Sequence, residues 1–464
     1  MVDDIFTLLE WIQHELMLFA AFGFMLGAID DLVIDVIWAG RHFWKRLFIY
    51  SRHEAMTALS LPRSSDHGHL AVFVPAWDEA AVIGPMLRYC LKCWPQEDVR
   101  IFVGCYPNDP ASIGAVAEVA ALDARITLVL GSRDGPTTKG DCLNGLWAAM
   151  ERQEHAQGFR FKGIILHDAE DVVHRAEIAL FDGMLDRFDL VQIPVLPLVD
   201  RRSRWVSGHY CDEFAEAHGK SLIVRELLGA AMPSAGVGCA FSRHFMSLIA
   251  ERQGGGPFDA DCLTEDYELG LRIGELGGRG VLVRLPDGEG GIVCTREYFP
   301  DRLDAAVRQK ARWMTGIALA GWDRLGWQGT LAERWMRLRD RRALLAAVVL
   351  TCAYVALLLY AITGVARILT GKEPLAFPYY LTLILIVNGL LLVWRMAMRC
   401  GFVMRFYGWR EAVRSVPRNF VANFIAIMAA RRAVAQYTRM RRGSGAIWEK
   451  TAHQFPDELA ASRL

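Results

Sequence analysis

The chain has 464 residues with 52 basic and 52 acidic side chains, and this zero formal charge excludes a general electrostatic attraction to nucleic acid. Apolar residues make up 53% and the mean hydropathy is +0.19, high for a soluble enzyme. Ten cysteines are scattered; Cys90 and Cys93 form a C-x-x-C with no second pair or His cluster nearby, so reduced thiols are expected rather than a zinc site.

Residues 1–15 are mildly acidic. Residues 16–40 read as an apolar helix long enough to span a bilayer, interrupted by Asp30, Asp31 and Asp35. Charge inside lipid is costly, so this helix is expected to face protein or the interface in part. The acidic start and the lack of a small-residue cleavage site argue against a cleaved signal peptide. Arg41, His42, Lys45 and Arg46 follow, and by the positive-inside rule that end is cytoplasmic.

Residues 69–320 alternate strand and helix patterns. Strands are predicted at 69–75, 99–105, 125–130 and 163–166, with helices at 80–93, 112–122 and 139–154. Such alternation implies a mainly parallel sheet, in which ligands bind beyond the carboxyl ends of the strands. Pro75-Ala76-Trp77-Asp78-Glu79, Asn108-Asp109 and His167-Asp168-Ala169-Glu170-Asp171 lie at such ends. A less regular half follows. It holds a Gly-rich run from Pro233 to Phe241, a helix start with Thr264 as N-cap, and a strand at 280–284. Two further spans are predicted at 343–369 and 379–396. Basic residues stand at their outer ends, which places both ends in the cytoplasm and the short linker outside. Met1 is accordingly expected on the periplasmic side and Leu464 in the cytoplasm. Residues 420–430 are short for a span and suit an interfacial or re-entrant helix. The expected division is 1–50, a transmembrane helix with a basic flank; 51–320, a cytoplasmic catalytic domain; and 321–464, interface helices, two spans and a short tail.

Four clusters carry candidate chemistry. Asp168, Glu170 and Asp171 crowd three carboxylates at one strand end; a hard divalent cation relieves their repulsion, and a solvated acidic turn is the alternative. Glu265-Asp266 suits a general base for a hydroxyl nucleophile, or simply an acidic helix N-terminus. Lys139 at a helix start suits phosphate, though an exposed lysine is the common case. Gln309, Arg312 and Trp313 form Q-x-x-R-W, which on a helix puts an amide, a guanidinium and an indole together. Arg recognises phosphate and Trp offers a platform for a ring; an amphipathic helix end with a buried Trp is the alternative.

In order, the motifs read strand-Pro-Ala-Trp-Asp-Glu, Lys-Gly-x-x-Leu-Asn, Asp-Ala-Glu-Asp, Gly-x-Gly-x-x-Phe, Thr-Glu-Asp and Gln-x-x-Arg-Trp. This order resembles the membrane-embedded family 2 glycosyltransferases, whose processive members include the cellulose, hyaluronan and chitin synthases. Pro75 to Ala80, Tyr106 to Pro110 and Thr295 to Pro300 carry a narrower resemblance to bacterial NfrB-type glycosyltransferases. The resemblance implies an α/β GT-A (Rossmann-like) domain inserted between transmembrane helices, and inversion at the anomeric carbon. It implies Mg²⁺ or Mn²⁺ held by Asp168 and Glu170, with Asp171 as an alternative ligand, and Asp266 as the base. It assigns donor contacts to Pro75, Trp77, Glu79, Asp109, Lys139, Asp168, Gln309, Arg312 and Trp313. It assigns the acceptor path to Gly236, Gly238, Phe241, Glu265 and Trp313. Many relatives carry paired aspartates where this chain has Asn108-Asp109, which puts the nucleoside contact there in doubt. NfrB-type proteins often continue into a cyclic-di-GMP-binding domain; this chain ends soon after Arg442, so that regulation is expected to be absent or supplied by another protein.

The reading is therefore a multi-pass enzyme of the bacterial inner membrane. It transfers sugar from a nucleotide-diphospho donor, such as a UDP-hexose or UDP-N-acetylhexosamine, to a growing polysaccharide, processively and coupled to export. Its expected partners are the donor, a glycan or lipid acceptor, membrane lipid, an export partner and a second copy of itself, with no nucleic acid. Its rivals are a non-processive transferase with a lipid acceptor and a catalytically silent membrane scaffold.

Overall fold

A computed structural model describes residues 2–62, 64–95, 98–443 and 453–460. Met1 and Leu464, whose sides of the membrane were expected from flanking charge, lie outside these residues. The chain opens with one long helix, α1 (Val2–Phe48). An α/β unit follows: β1 (Leu70–Pro75), α2 (Ile83–Cys93), β2 (Val99–Cys105), α3 (Pro110–Ala120), β3 (Ile126–Leu130), α4 (Lys139–Gln157), β4 (Gly163–Leu166), α5 (Glu177–Leu185) and β5 (Leu190–Gln192). It continues through α6 (Val206–Glu216), α7 (Leu222–Leu227), β6 (Cys239–Ser242), α8 (Arg243–Gln253), α9 (Glu265–Glu275) and β7 (Gly280–Leu282). Then come α10 (Leu303–Trp313), α11 (Gly321–Leu325), α12 (Leu331–Arg341), α13 (Ala343–Leu369), α14 (Tyr379–Tyr407), α15 (Trp409–Arg441) and the short α16 (Asp457–Ala460).

The seven strands form one sheet in the order β3-β2-β1-β4-β6-β5-β7. β1 pairs in parallel with β2 and β4, with Leu70 opposite Val99 and Gly163. β6 runs antiparallel to both β4 and β5. All six residues of β1 are buried, because helices cover both faces of the sheet and alternation is lost. One face packs Val72, Val74, Ile83, Met86, Val103 and Phe181; the other packs Phe73, Phe102, Leu143, Leu146, Phe161 and Phe241. All ten cysteines are free thiols.

Among the described residues, three helices are long and apolar enough to cross a membrane: α1, α13 and α14. The three carboxylates that interrupt the apolar run of α1 are all paired. Asp30 and Asp31 meet Arg339 and Arg342, Asp31 also meets Arg395, and Asp35 holds Lys220 at 2.5 Å and the Trp394 indole at 2.8 Å. The expected short helix at 420–430 is corrected: it is the middle of α15, which continues through Pro417. Its buried face, including Ile425, Ala429 and Ala433, packs against α6 and α10. Local apolar length could not show this, because arginines, the fully buried Arg418 among them, interrupt the apolar run on either side. Thr264 precedes α9 as expected, but its hydroxyl is buried and caps nothing.

Candidate active site

β1 and β4 end side by side, so the turns after Pro75 and Leu166 are neighbours. β6 is antiparallel to β4, so the loop that precedes it reaches the same edge. Gln192, buried at the end of β5, fixes that loop. Its side-chain amide donates to the carbonyls of Val237 at 2.9 Å and Gly238 at 3.0 Å, and its oxygen accepts from Ala235 N at 2.9 Å. Gly236 has φ 78°, and a Cβ there would strike the Asp266 carboxylate. Glycine thus lets the base candidate lie against the backbone. α4 brings Lys139 in at its first turn, capped by the Thr138 hydroxyl.

The resulting cleft is lined by Pro75, Glu79, Lys139, Asp168, Glu170, Asp266, Glu297, Gln309, Arg312, Trp313 and His453, among others. It adjoins a second pocket walled by Thr264, Glu265, Asp266, Arg312 and Trp313. Lys139 Nζ lies 2.6 Å from Asp168 Oδ1. Burial pulls its pKa down, but Asp168, Glu265 and Asp266 outweigh burial and hold it well above the usual value. Burial raises the Asp266 carboxyl, and raises Glu265 with Asp266 adding to the effect. Glu170 is raised by burial, with Asp168 and Glu79 adding to it, and Glu297 is raised by burial together with Asp171, Glu170 and Asp168. His453 answers part of this charge. Its Nδ1 is 2.8 Å from Glu79 and its Nε2 3.2 Å from Glu170. Burial would lower this imidazole, but Glu170 and Glu79 hold it up to about 9.

α10 supplies the opposite wall, and its last residue is Trp313. A π-helical turn, Met314–Ala320, follows directly, a distortion frequent at functional sites. Gln309 Oε1 and Arg312 Nε are buried without a hydrogen-bond partner among the described residues. Such atoms are costly unless a ligand meets them. Trp313 lies in an aromatic box, with ring centroids 6.1 Å from Tyr210, 6.3 Å from Phe214 and 6.4 Å from Phe299.

A cleft with these residues at the carboxyl edge of a mixed sheet agrees with the sequence comparison, in which the profile of glycosyltransferase-like family 2 matches residues 67–316. The chain belongs to this family. Two curated relatives are the bacteriophage adsorption protein B of Escherichia coli strain K12 and the bacteriophage N4 adsorption protein B of Escherichia coli O157:H7. Each is 36% identical over 462 residues, covering 94% of this chain and 62% of the relative. The chain therefore spans less than two thirds of the length of the curated relatives it matches. A mannosyltransferase from Pyrobaculum calidifontis, solved with GDP-mannose and Mn²⁺, superposes with a TM-score of 0.50 at 16% identity, over 87% of this chain and 99% of that one. That likeness concerns the fold, which is GT-A-like.

The structure brings Pro75, Glu79, Lys139, Asp168, Glu170, Glu265, Asp266, Gln309, Arg312 and Trp313 to the two adjoining pockets. Other expected site residues lie outside them. Asp171 is fully buried and turned away, its Oδ2 accepting from His167 at 2.7 Å and Asp168 N at 3.1 Å, which corrects its expected place as a metal ligand. Phe241 is a core residue of β6, so it lines no acceptor path. Asp109 caps α3, its oxygens accepting from Ser112 N and from Asp78 N at 2.6 Å. Trp77 packs edge-on against Tyr106 at 5.2 Å, outside the cleft wall. Gly236 and Gly238 shape the loop through backbone conformation, while Ala235 and Val237 reach the cleft. Two titratable residues of the cleft had no assigned role. Glu297 sits in the Thr295-to-Pro300 stretch, which could have flagged it; His453 is a lone histidine with no local signal.

Proposed function

We propose that this chain is a membrane-bound, inverting glycosyltransferase that moves a sugar from a nucleotide-diphospho donor to a glycan acceptor on the cytoplasmic side. The observation that carries this reading is the convergence of Asp266, Lys139, Arg312 and Trp313 on one cleft with the acidic end of β4. The Pyrobaculum mannosyltransferase binds GDP-mannose, which supports a nucleotide-sugar class of donor. The Escherichia coli relatives are named for bacteriophage adsorption, an event at the cell surface, which supports a product that is exported.

The residues fit a divalent cation. Glu79, Glu170 and His453 place ligand atoms within 4.8 Å of one another, and Asp168 stands on the same turn as Glu170. Carboxylate oxygens with one imidazole suit Mn²⁺ or Mg²⁺. When bound, such an ion supplies charge neutralisation for a diphosphate leaving group. Lys139 and Arg312 add fixed positive charge, and the buried Arg312 Nε offers a donor to a phosphate oxygen. Asp266 takes the proton of the acceptor hydroxyl as the new bond forms. Trp313 and its aromatic neighbours give the acceptor ring a flat surface.

We further propose that α1, α13 and α14 cross the inner membrane, with product elongation coupled to export. Three candidate spans among the described residues make a narrow passage, so a second copy or an export partner completes its wall. The test is a donor screen: purified chain, a panel of UDP- and GDP-sugars, and detection of released nucleotide and product length. Nucleotide release with one donor and a lengthening product is expected. Absence of both donor binding and release across the panel overturns the reading in favour of a silent scaffold.

A further inference from the structure

The end of α1 meets the loop after β7 and the end of α14 at a junction that sugar transfer does not use. Arg284 leaves β7 there, with its guanidinium 5.9 Å from the centre of the Phe406 ring. Its Nε is buried and has no hydrogen-bond partner among the described residues. Burial, with the like charges of Arg405 of α14 and Arg41 of α1 adding to it, holds Arg284 down to about 10. Arg405, Arg46 and Arg284 all act as cations on His42, at the same end of α1. Four guanidinium groups from three segments thus share one patch.

Acid is scarce around them. Glu226 lies 3.4 Å from Arg41 and also acts on Lys45. Arg46, Arg284 and Arg405 have no carboxylate partner among the described residues. Like charges gathered this way repel, and burial of one of them raises the cost, unless an anion lies among them. The surroundings indicate where that anion comes from. Phe43, Trp44, Phe48 and Tyr50 are more than half exposed at the same end of α1. Aromatic rings of this kind settle at the level of lipid headgroups, and the apolar lengths of α1 and α14 lie just below.

We propose that Arg41, Arg46, Arg284 and Arg405 form a binding site for the phosphate of an anionic phospholipid headgroup. Guanidinium forks bond phosphate oxygens in pairs, and the sealed Arg284 Nε supplies an inward donor that diffuse attraction to a charged surface does not need. The bound headgroup ties α1, α14 and the β7 loop together and sets the catalytic unit against the membrane. The site does not depend on the donor or on the transfer reaction.

The test uses the full chain in neutral detergent. Thermal unfolding and native mass spectrometry are followed while palmitoyl-oleoyl phosphatidylglycerol, the matching phosphatidylcholine or inorganic phosphate is added. Phosphatidylglycerol is expected to raise the unfolding midpoint and remain bound, and the other two are not. Arg405→Gln and Arg46→Gln, both at exposed positions, are each expected to weaken phosphatidylglycerol affinity about fivefold with the lipid-free unfolding midpoint unchanged. Arg284→Gln is expected to weaken it further. Arg410→Gln, a cation at the start of α15, is expected to leave it unchanged. Equal binding of phosphatidylcholine overturns the site. So does a matching shift with inorganic phosphate, or full affinity in Arg405→Gln and Arg46→Gln.

Discussion

At the membrane end of the molecule, Asp30, Asp31 and Asp35 each find a cation within the chain, and Asp30 also accepts from the Trp335 indole at 2.6 Å. In the cleft, Glu79, Glu170, Glu265, Asp266 and Glu297 gather around Lys139, Arg312 and His453, and burial drives several of these carboxyls upward. The two regions have similar residues and opposite chemistry. Paired charge at the first joins α1 to α12, α13 and α14. Surplus negative charge at the second is held in place by the sheet and is answered only in part by Lys139 and His453. A charge that serves the fold and a charge that serves a reaction are thus told apart by whether the chain itself completes the partnership.

Substituting one member of each region should separate them. The largest effect is expected for Asp266→Asn, which keeps size but cannot accept a proton. Transfer should fall ~10²–10⁴-fold with donor affinity retained, measured by nucleotide release and calorimetry. Its unfolding midpoint should hold or rise, because a crowded buried charge is removed. Near-normal transfer with collapsed donor binding would make Asp266 a donor ligand. Trp313→Ala should cost about 10²-fold through loss of acceptor positioning, with product length shortened more than donor hydrolysis falls. Unchanged product length would remove Trp313 from the acceptor site. Asp31→Asn leaves Arg339, Arg342 and Arg395 short of a partner, and should lower stability by about 1–3 kcal/mol while transfer per folded molecule stays constant. A loss of turnover without loss of stability would break the contrast.

Two smaller effects sharpen it. His453→Ala should weaken Mn²⁺ binding about tenfold by calorimetry, since one of three candidate ligands is lost. Unaltered affinity would leave the cation to the carboxylates alone. The pH dependence has a definite sign. Burial holds Asp266 above the ordinary aspartate value of 3.8, so it stays protonated, and unable to accept a proton, to a higher pH. Transfer should therefore rise as pH rises through that elevated value, and the acid limb of kcat/KM should lie above the ordinary aspartate range. An acid limb at the ordinary value would show that Asp266 is not the titrating base.

Sequence alone determined the elements whose evidence is local. The four strands of the parallel half were predicted to within one residue at either end, because buried apolar runs bounded by turn residues have few other solutions. The spans at 343–369 and 379–396 were legible for the same reason, although α14 runs on to Tyr407. Asp168, Asp266 and Q-x-x-R-W each had an ordinary structural alternative when read alone, and only their order along the chain made them candidates for one site. Tertiary structure decided what sits between these pieces. The antiparallel insertion of β6 between β4 and β5 depends on long-range pairing of short strands, which leaves little periodic signal. Adjacent residues of one acidic motif were sorted by direction: Glu170 enters the cleft, while Asp171 turns inward to His167. The same holds for His453, which stands 374 positions from Glu79 in the chain and 2.8 Å from it in space. Spacing along a chain records which groups are available; only packing of the sheet, helices and tail fixes which of them share one dielectric environment and can act together.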